Sequence, residues 1–244
     1  MSFFGKNNAS RIPKKDKIRV KKYKRNSEYP DYLCAMLKET EILIGKGEML
    51  PLMEEFYTIQ GEGYHTGKAA YFIRIGGCDV GCHWCDVKES WNAALHPPTL
   101  TDQIVEKAQQ YANTVVITGG EPLMWNMDYI TQELSKADLK VHIETSGAYQ
   151  LSGQYDWICL SPKKNKLPLQ EVYQSAHELK VIVFNKHDFK FAEEQAAQVG
   201  KDCELYLQPE WSNREKMTPM IVDYVMEHPK WKISLQTHKY LNIP

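Results

Sequence analysis

The 244-residue sequence predicts an α/β domain built as an open, partial β/α barrel, with parallel strands inside and helices outside. Three observations carry this. From Met49 onward, short apolar runs alternate with amphipathic stretches, the pattern of βαβ units around a parallel sheet. About 200 residues hold six or seven such strands, fewer than the ~250 residues of a closed eight-stranded barrel require. Polar or glycine-rich segments follow the strands one after another, as they do where the carboxyl ends of parallel strands gather around a site.

Strands are predicted over Ala70 to Ile75, Thr114 to Thr118, Lys140 to Glu144, Trp157 to Leu160, Lys180 to Phe184, Glu204 to Leu207 and Lys232 to Leu235. Helices are predicted over Thr101 to Tyr111, Met127 to Lys136, Leu169 to Ala176, Phe189 to Gln198 and Glu215 to Glu227. Thr99 or Thr101 is placed to cap the first helix, since a hydroxyl there accepts a free backbone N–H. The stretch from Glu144 to Trp157 has no room for a helix, so that crossover must be short or irregular. The segments after the strands are Gly76-Gly77-Cys78, Gly119-Gly120-Glu121-Pro122, Thr145-Ser146-Gly147, Ser161-Pro162-Lys163, Gln208-Pro209-Glu210-Trp211 and Gln236-Thr237-His238. Any one of them is ordinary turn chemistry. Together they are expected to converge on one mouth.

Composition narrows the function classes. A 43% apolar and 25% charged chain can bury a full core, and it has no apolar run near the ~18 residues of a membrane span. Six cysteines, three clustered and three scattered at Cys34, Cys159 and Cys203, do not form a disulfide framework, so a reducing cytoplasm is expected. Residues 1 to 25 carry ten Lys and Arg against the single acid Asp16. Residues 1–48 are therefore expected to be a basic, disordered extension of a domain spanning 49–244. Gly45-Lys46-Gly47-Glu48 back-translates to a purine-rich run like a ribosome-binding site just ahead of Met49, so translation is expected to start there. A nucleic-acid-binding arm is the competing reading of the same charges.

The chemistry centres on Cys78, Cys82 and Cys85, spaced C-x3-C-x2-C on a loop entered through Gly76-Gly77. A structural zinc site or a [4Fe-4S] cluster usually takes four protein ligands, so three thiolates leave one position open for chemistry. A disulfide-bonded loop, or a zinc site completed by His65, His83 or His96, stays open on spacing alone. A c-type haem does not, because Asp86 rather than His follows Cys85. Gly61-Glu62-Gly63 lacks the third glycine of a dinucleotide fingerprint and precedes its strand. Gln60 beside it is a two-way hydrogen bonder suited to the edge of a heterocycle. Arg74, in an apolar strand, is costly to bury unpaired and should meet a carboxylate, of the protein or of a ligand.

The cysteine loop and Gly119-Gly120-Glu121-Pro122 resemble the radical S-adenosylmethionine (SAM) superfamily. Phe56-Tyr57-Thr58-Ile59-Gln60-Gly61-Glu62-Gly63, Arg74 and the terminal Leu241-Asn242-Ile243-Pro244 are most similar, within it, to the 7-carboxy-7-deazaguanine synthase family. The resemblance covers about residues 49 to 244. It implies a lyase that turns 6-carboxy-5,6,7,8-tetrahydropterin into 7-carboxy-7-deazaguanine with loss of ammonia, a queuosine precursor. It implies a [4Fe-4S] cluster on Cys78, Cys82 and Cys85. It puts SAM against Gly120, Glu121, Glu144, Ser146, Ser161, Pro162, Lys163, Gln208, Pro209, Glu210 and Trp211. It puts the substrate against Ile59, Gln60, Gly61, Arg74, Thr118 and Pro244. A one-electron donor such as flavodoxin or ferredoxin and a homodimer are implied as partners, with no membrane or nucleic acid. The family's Mg²⁺ is held partly by a Ser or Thr two residues after the last cysteine. Here Val87 stands in that place, so magnesium is either held by substrate, water and Asp86 or dispensed with. Two other readings remain: a different radical SAM enzyme such as a glycyl-radical activase, and a zinc-binding nucleic-acid module.

Overall fold

The structure, a computed structural model, describes residues 31–244. Helix α1 (Asp31–Lys46) leads into β1 (Met49–Ile59), which pairs antiparallel with β2 (Ala69–Ile75) and with the short β3 (Pro98–Leu100). The chain continues through α2 (Thr101–Ala108), β4 (Thr114–Gly119), α3 (Asp128–Lys136), β5 (Lys140–Thr145) and β6 (Trp157–Leu160). It ends with α4 (Gln170–Ser175), β7 (Glu178–Val183), α5 (Asp188–Ala196), β8 (Glu204–Pro209), α6 (Arg214–Glu227), β9 (Trp231–Ile233) and α7 (Thr237–Leu241). The nine strands form one sheet in the order β3-β1-β2-β4-β5-β6-β7-β8-β9, parallel from β2 to β9 and open between its two edges. The partial barrel expected from the sequence is what forms, and no helix stands between β5 and β6.

Strand periodicity decides which residues face the site, because alternate side chains point to opposite faces. In β2, Tyr71, Ile73 and Ile75 join Val115 and Ile117 of β4, and Val141 and Ile143 of β5, in a core under α2 and α3. In β7, Leu179, Val181 and Val183 join Leu160, Leu207, Ile221 and Trp231 under α4 to α6. The alternate residues make the inner face: Ala70 and Phe72 with Val116 and Phe56, and above them Arg74 in register with Thr118. A one-residue slip in any of these strands would send its charged residues into the helix layer.

The structure differs from the expectations at three places. Residues 31–46, expected to belong to a disordered extension, are helical; the rest of that extension, residues 1–30, lies outside the described residues. Strands β1 and β3 precede and interrupt the predicted series. Neither threonine caps α2: Leu100 is the N-cap, and the Thr101 hydroxyl, fully buried, donates to Gly47 O at 2.7 Å and ties the helix to the turn before β1.

Candidate active site

The carboxyl ends of the parallel strands surround a cavity of about 270 Å³. All six segments predicted to converge contribute to its wall, and the three thiols of Cys78, Cys82 and Cys85 open into it. The cysteine loop is held from both sides. Gly77 N donates to Ser90 O, Trp125 Nε1 donates to Gly76 O at 2.9 Å, and Asn165 Nδ2 donates to Gly81 O at 2.9 Å. Burial pushes the Cys78 and Cys82 thiols up, against the pull of a backbone hydrogen bond at Cys78 and of Lys163 at Cys82. Thiolates here therefore need a strong positive centre beside them, which cluster iron supplies. Three free thiols around one shared space, with no fourth among the described residues, fit a cluster with an open iron.

The turn after β4 presses against this loop. Gly119 has φ +135°, and a Cβ there would lie 2.1 Å from Ile75 O; one on Gly120 would lie 2.3 Å from Gly77 O and 3.0 Å from Cys78 Cβ. Only glycine permits that approach. The N–H groups of Gly120 and Glu121 are spent on Ile75 O and Gly77 O, each at 2.8 Å. The Glu121 carboxylate, expected in the mouth, is 1% exposed and engaged by four donors: Leu123 N at 3.1 Å, Thr145 Oγ1 at 2.5 Å, Ser146 N at 2.7 Å and the Ser146 hydroxyl. It braces β4 against β5, and its lone pairs are not free for a ligand.

On the next strands, Lys163 Nζ donates to Ser161 O and Ser161 Oγ at 2.6 Å each, and lies 5.5 Å from the Trp84 ring centre. Pro162 between them is buried and does not line the cavity, unlike every other residue that the resemblance puts against SAM or substrate. The Glu210 carboxylate accepts from Ser212 Oγ at 2.5 Å and Asn213 N at 3.2 Å, capping the turn that carries Trp211. Trp211 stacks between the Arg214 guanidinium, 4.1 Å away, and Lys239 Nζ, 5.1 Å away.

The opposite wall is built by the end of β1 and the tail. Gln60 is buried, and its side chain is held at both ends: Nε2 donates to Glu144 Oε1 at 2.9 Å, and Oε1 accepts from Glu62 N at 3.1 Å. Glu144 Oε2 lies 3.5 Å from Lys180 Nζ, so this carboxylate is committed to the Gln60 side of the cavity. Arg74 Nε donates to Glu54 Oε1 at 2.6 Å across the hairpin, and its guanidinium lies over Phe56, which stacks on Phe72 at 5.5 Å. The Arg74 carboxylate partner expected from the sequence is thus present within the protein, while Arg74 also lines the cavity with Thr118 and Pro244. The tail meets this wall at two points: Thr237 N donates to Gly61 O at 2.9 Å and Thr58 Oγ1 to a terminal oxygen of Pro244 at 3.4 Å, while Ile243 N donates to His238 O at 3.1 Å within the tail. Lys180, Trp84 and Phe56 also line the cavity and were not singled out from sequence. The signal for Lys180 was a lone cation inside the apolar run Leu179 to Val183.

A family model described as the Radical SAM superfamily matches residues 72–150. Over 209 residues the chain is 73% identical to the 7-carboxy-7-deazaguanine synthase of Flavobacterium psychrophilum, a match covering 86% of this chain and 100% of that protein. The protein of the same name from Synechocystis is 47% identical over 194 residues, 79% of this chain and 93% of the relative. The crystal structure of QueE from Escherichia coli has a TM-score of 0.68 to this fold at 30% identity, covering 80% of this chain and 97% of that one. Such identity along the whole of a relative, on a fold of the same kind, leaves one assignment: the chain belongs to the 7-carboxy-7-deazaguanine synthase family of the radical SAM superfamily.

Proposed function

We propose that residues 49–244 form a radical SAM lyase that converts 6-carboxy-5,6,7,8-tetrahydropterin into 7-carboxy-7-deazaguanine with loss of ammonia, supplying queuosine and related 7-deazapurines. The observation that carries this reading is the meeting, in one cavity, of three thiols with Arg74, Thr118, the Gln60 block and Pro244. Cys78, Cys82 and Cys85 would hold the [4Fe-4S] cluster. Bound there and given one electron by a flavodoxin or ferredoxin, the cluster and SAM would supply the radical chemistry that removes a hydrogen atom from the substrate, with SAM serving as a cofactor rather than being consumed.

The chain's own residues bind, orient and exclude water. With its N–H groups and carboxylate already engaged, the turn at Gly119 and Gly120 meets an amino group through carbonyl oxygen. Ser161, Lys163 and the Gln208 to Trp211 segment flank the rest of SAM. The Nη edge of Arg74 takes the pterin carboxylate, its fork pre-set by Glu54. Gln60 keeps one amide hydrogen for the ring edge after donating to Glu144. Magnesium does not fit these residues: Val87 brings no side-chain oxygen, its carbonyl is taken by Ser90, and the Asp86 carboxylate is bonded by Lys239. Activity is expected in a reducing cytoplasm, from a homodimer. The test is anaerobic turnover of reconstituted protein with SAM, reductant and the carboxy-tetrahydropterin, followed by mass spectrometry. Formation of the deazaguanine acid without net loss of SAM supports the reading, and SAM cleavage with the pterin untouched overturns the substrate.

A further inference from the structure

Beside the cysteine loop lies a cation that the proposed chemistry has not used. Lys239, on α7, donates from Nζ to Asp86 Oδ2 at 2.6 Å, and its side chain is only 20% exposed. Asp86 directly follows the last cluster cysteine and lines the cavity together with Val87 and Pro244. Lys239 is five residues from Pro244 on the same docked tail, and the Trp211 ring flanks its ammonium at 5.1 Å.

The Asp86 carboxylate is 57% exposed at the edge of the cavity, and two kinds of positive partner could meet it there. A hydrated divalent ion needs several oxygens in near-octahedral geometry, and position 87 offers only the isopropyl group of valine. An ammonium needs one acceptor at hydrogen-bond distance, and it is held locally at a high effective concentration by the chain that carries it. Val87 leaves position 87 without a side-chain oxygen, and Lys239 brings a cation to the neighbouring Asp86.

Resting on the proposed function, we propose that Lys239 is the resident cation of this site, taking the place of a divalent metal and tying the cysteine loop to the tail that bears Pro244. It is a positioning residue acting through Asp86. The protein accordingly turns over without added divalent metal, and the terminal carboxylate is held at the substrate only while the Lys239–Asp86 pair is closed.

The test compares metal-stripped wild type, K239Q, K239R and the double variant V87T/K239Q, all with reconstituted cluster. Wild-type turnover is expected to be the same with chelator and with magnesium. K239Q is expected to raise the KM for the pterin about tenfold, equivalent to ~1.4 kcal/mol, while SAM affinity and cluster absorbance stay unchanged. K239R should recover most of the loss, and V87T/K239Q should recover it only with magnesium. Titration with Mn²⁺ followed by electron paramagnetic resonance should find a bound ion in the double variant and none in wild type. Wild-type activity that is lost on chelation and restored by magnesium would overturn the proposal, as would stoichiometric Mn²⁺ binding by wild type or a K239Q enzyme with normal KM. If wild type leaves the pterin untouched, the functional reading fails, and the Mn²⁺ titrations still decide the role of Lys239.

Discussion

Lys180 Nζ lies 2.5 Å from Glu62 Oε2 on the inner face of the sheet, with 3% of the lysine side chain exposed. The two residues are 118 positions apart, and their pairing fastens the end of β1 to β7 across the cavity. Glu144 at 3.5 Å adds a second carboxylate, and Gln236 Nε2 donates to Glu62 Oε1 at 2.9 Å. Burial works against the lysine's charge. The carboxylates around it, Glu144, Glu62 and Glu178, more than offset that and raise its pKa well above the ordinary value.

Removing this cation leaves Glu62 and Glu144, whose side chains are 14% and 24% exposed, without their positive partner. K180M is expected to lose about 3–5 kcal/mol of stability near neutral pH, the usual cost of breaking a buried pair by deleting one partner. Urea unfolding at matched cluster content measures it. A loss below ~1 kcal/mol would mean that water reaches Glu62 and Glu144.

The Glu121 carboxylate, saturated by Leu123, Thr145 and Ser146, is predicted to act on stability first. E121A leaves four donors without their acceptor, and charged hydrogen bonds contribute about 1.5–3 kcal/mol each before relaxation. The midpoint of thermal unfolding should fall, and SAM affinity should weaken only as the turn loosens. A variant with unchanged melting and lost SAM binding would show instead that this carboxylate meets the ligand.

Much of this site was legible because two local rules coincide in it. Alternation in Ala70 to Ile75 sends Phe72 and Arg74 inward and Ile73 and Ile75 outward, and spacing alone picks out Cys78, Cys82 and Cys85. Strand β1 escaped because Pro51, the adjacent Glu54 and Glu55, and an irregular register between Leu52 and Glu54 break the period-2 pattern. The roles of Glu121 and Lys180 are set by partners far away in sequence, which local pattern does not carry. Glu121 looked like a ligand-facing acid until Thr145 and Ser146 were seen to fill its lone pairs.

Acid should destabilise the protein in two stages. Burial, aided by Lys68 and Lys140, lowers the pKa of His65 from 6.5 to about 4; burial, the neighbouring His65 and the same lysines do so for His142, with Asp156 opposing. The unfolded chain takes up these protons below pH 6.5 and the folded one resists until about 4, so stability falls as pH drops through that window. For Glu62, burial raises the pKa, but Lys180's charge and the hydrogen bonds from Lys180, Gln236 and Gln208 bring it to about 2 against an ordinary 4.5. Its contribution is full above pH 4.5 and is lost from there down toward pH 2. Chemical unfolding measured across pH checks both: H142F should flatten the stage between 6.5 and 4, and E62Q the stage below 4.5. A profile unchanged by H142F would remove the histidine pair as its cause.

The docked tail makes the last residue the most sensitive place to extend the chain. Chain ends ordinarily fray, yet Thr237 N donates to Gly61 O, and Pro244 lines the cavity with residues of the cysteine loop. A tag fused after Pro244 replaces its carboxylate by an amide and forces added residues past Thr58, whose hydroxyl now meets that terminus. Turnover of the pterin should fall at least tenfold, about 1.4 kcal/mol or more of lost transition-state stabilisation. Cluster absorbance and SAM affinity should hold, because their residues lie on other strands. Cleaving the tag back to Pro244 should restore the rate. Equal rates before and after cleavage would place the substrate away from the tail and leave Arg74 as the only group positioned for its carboxylate.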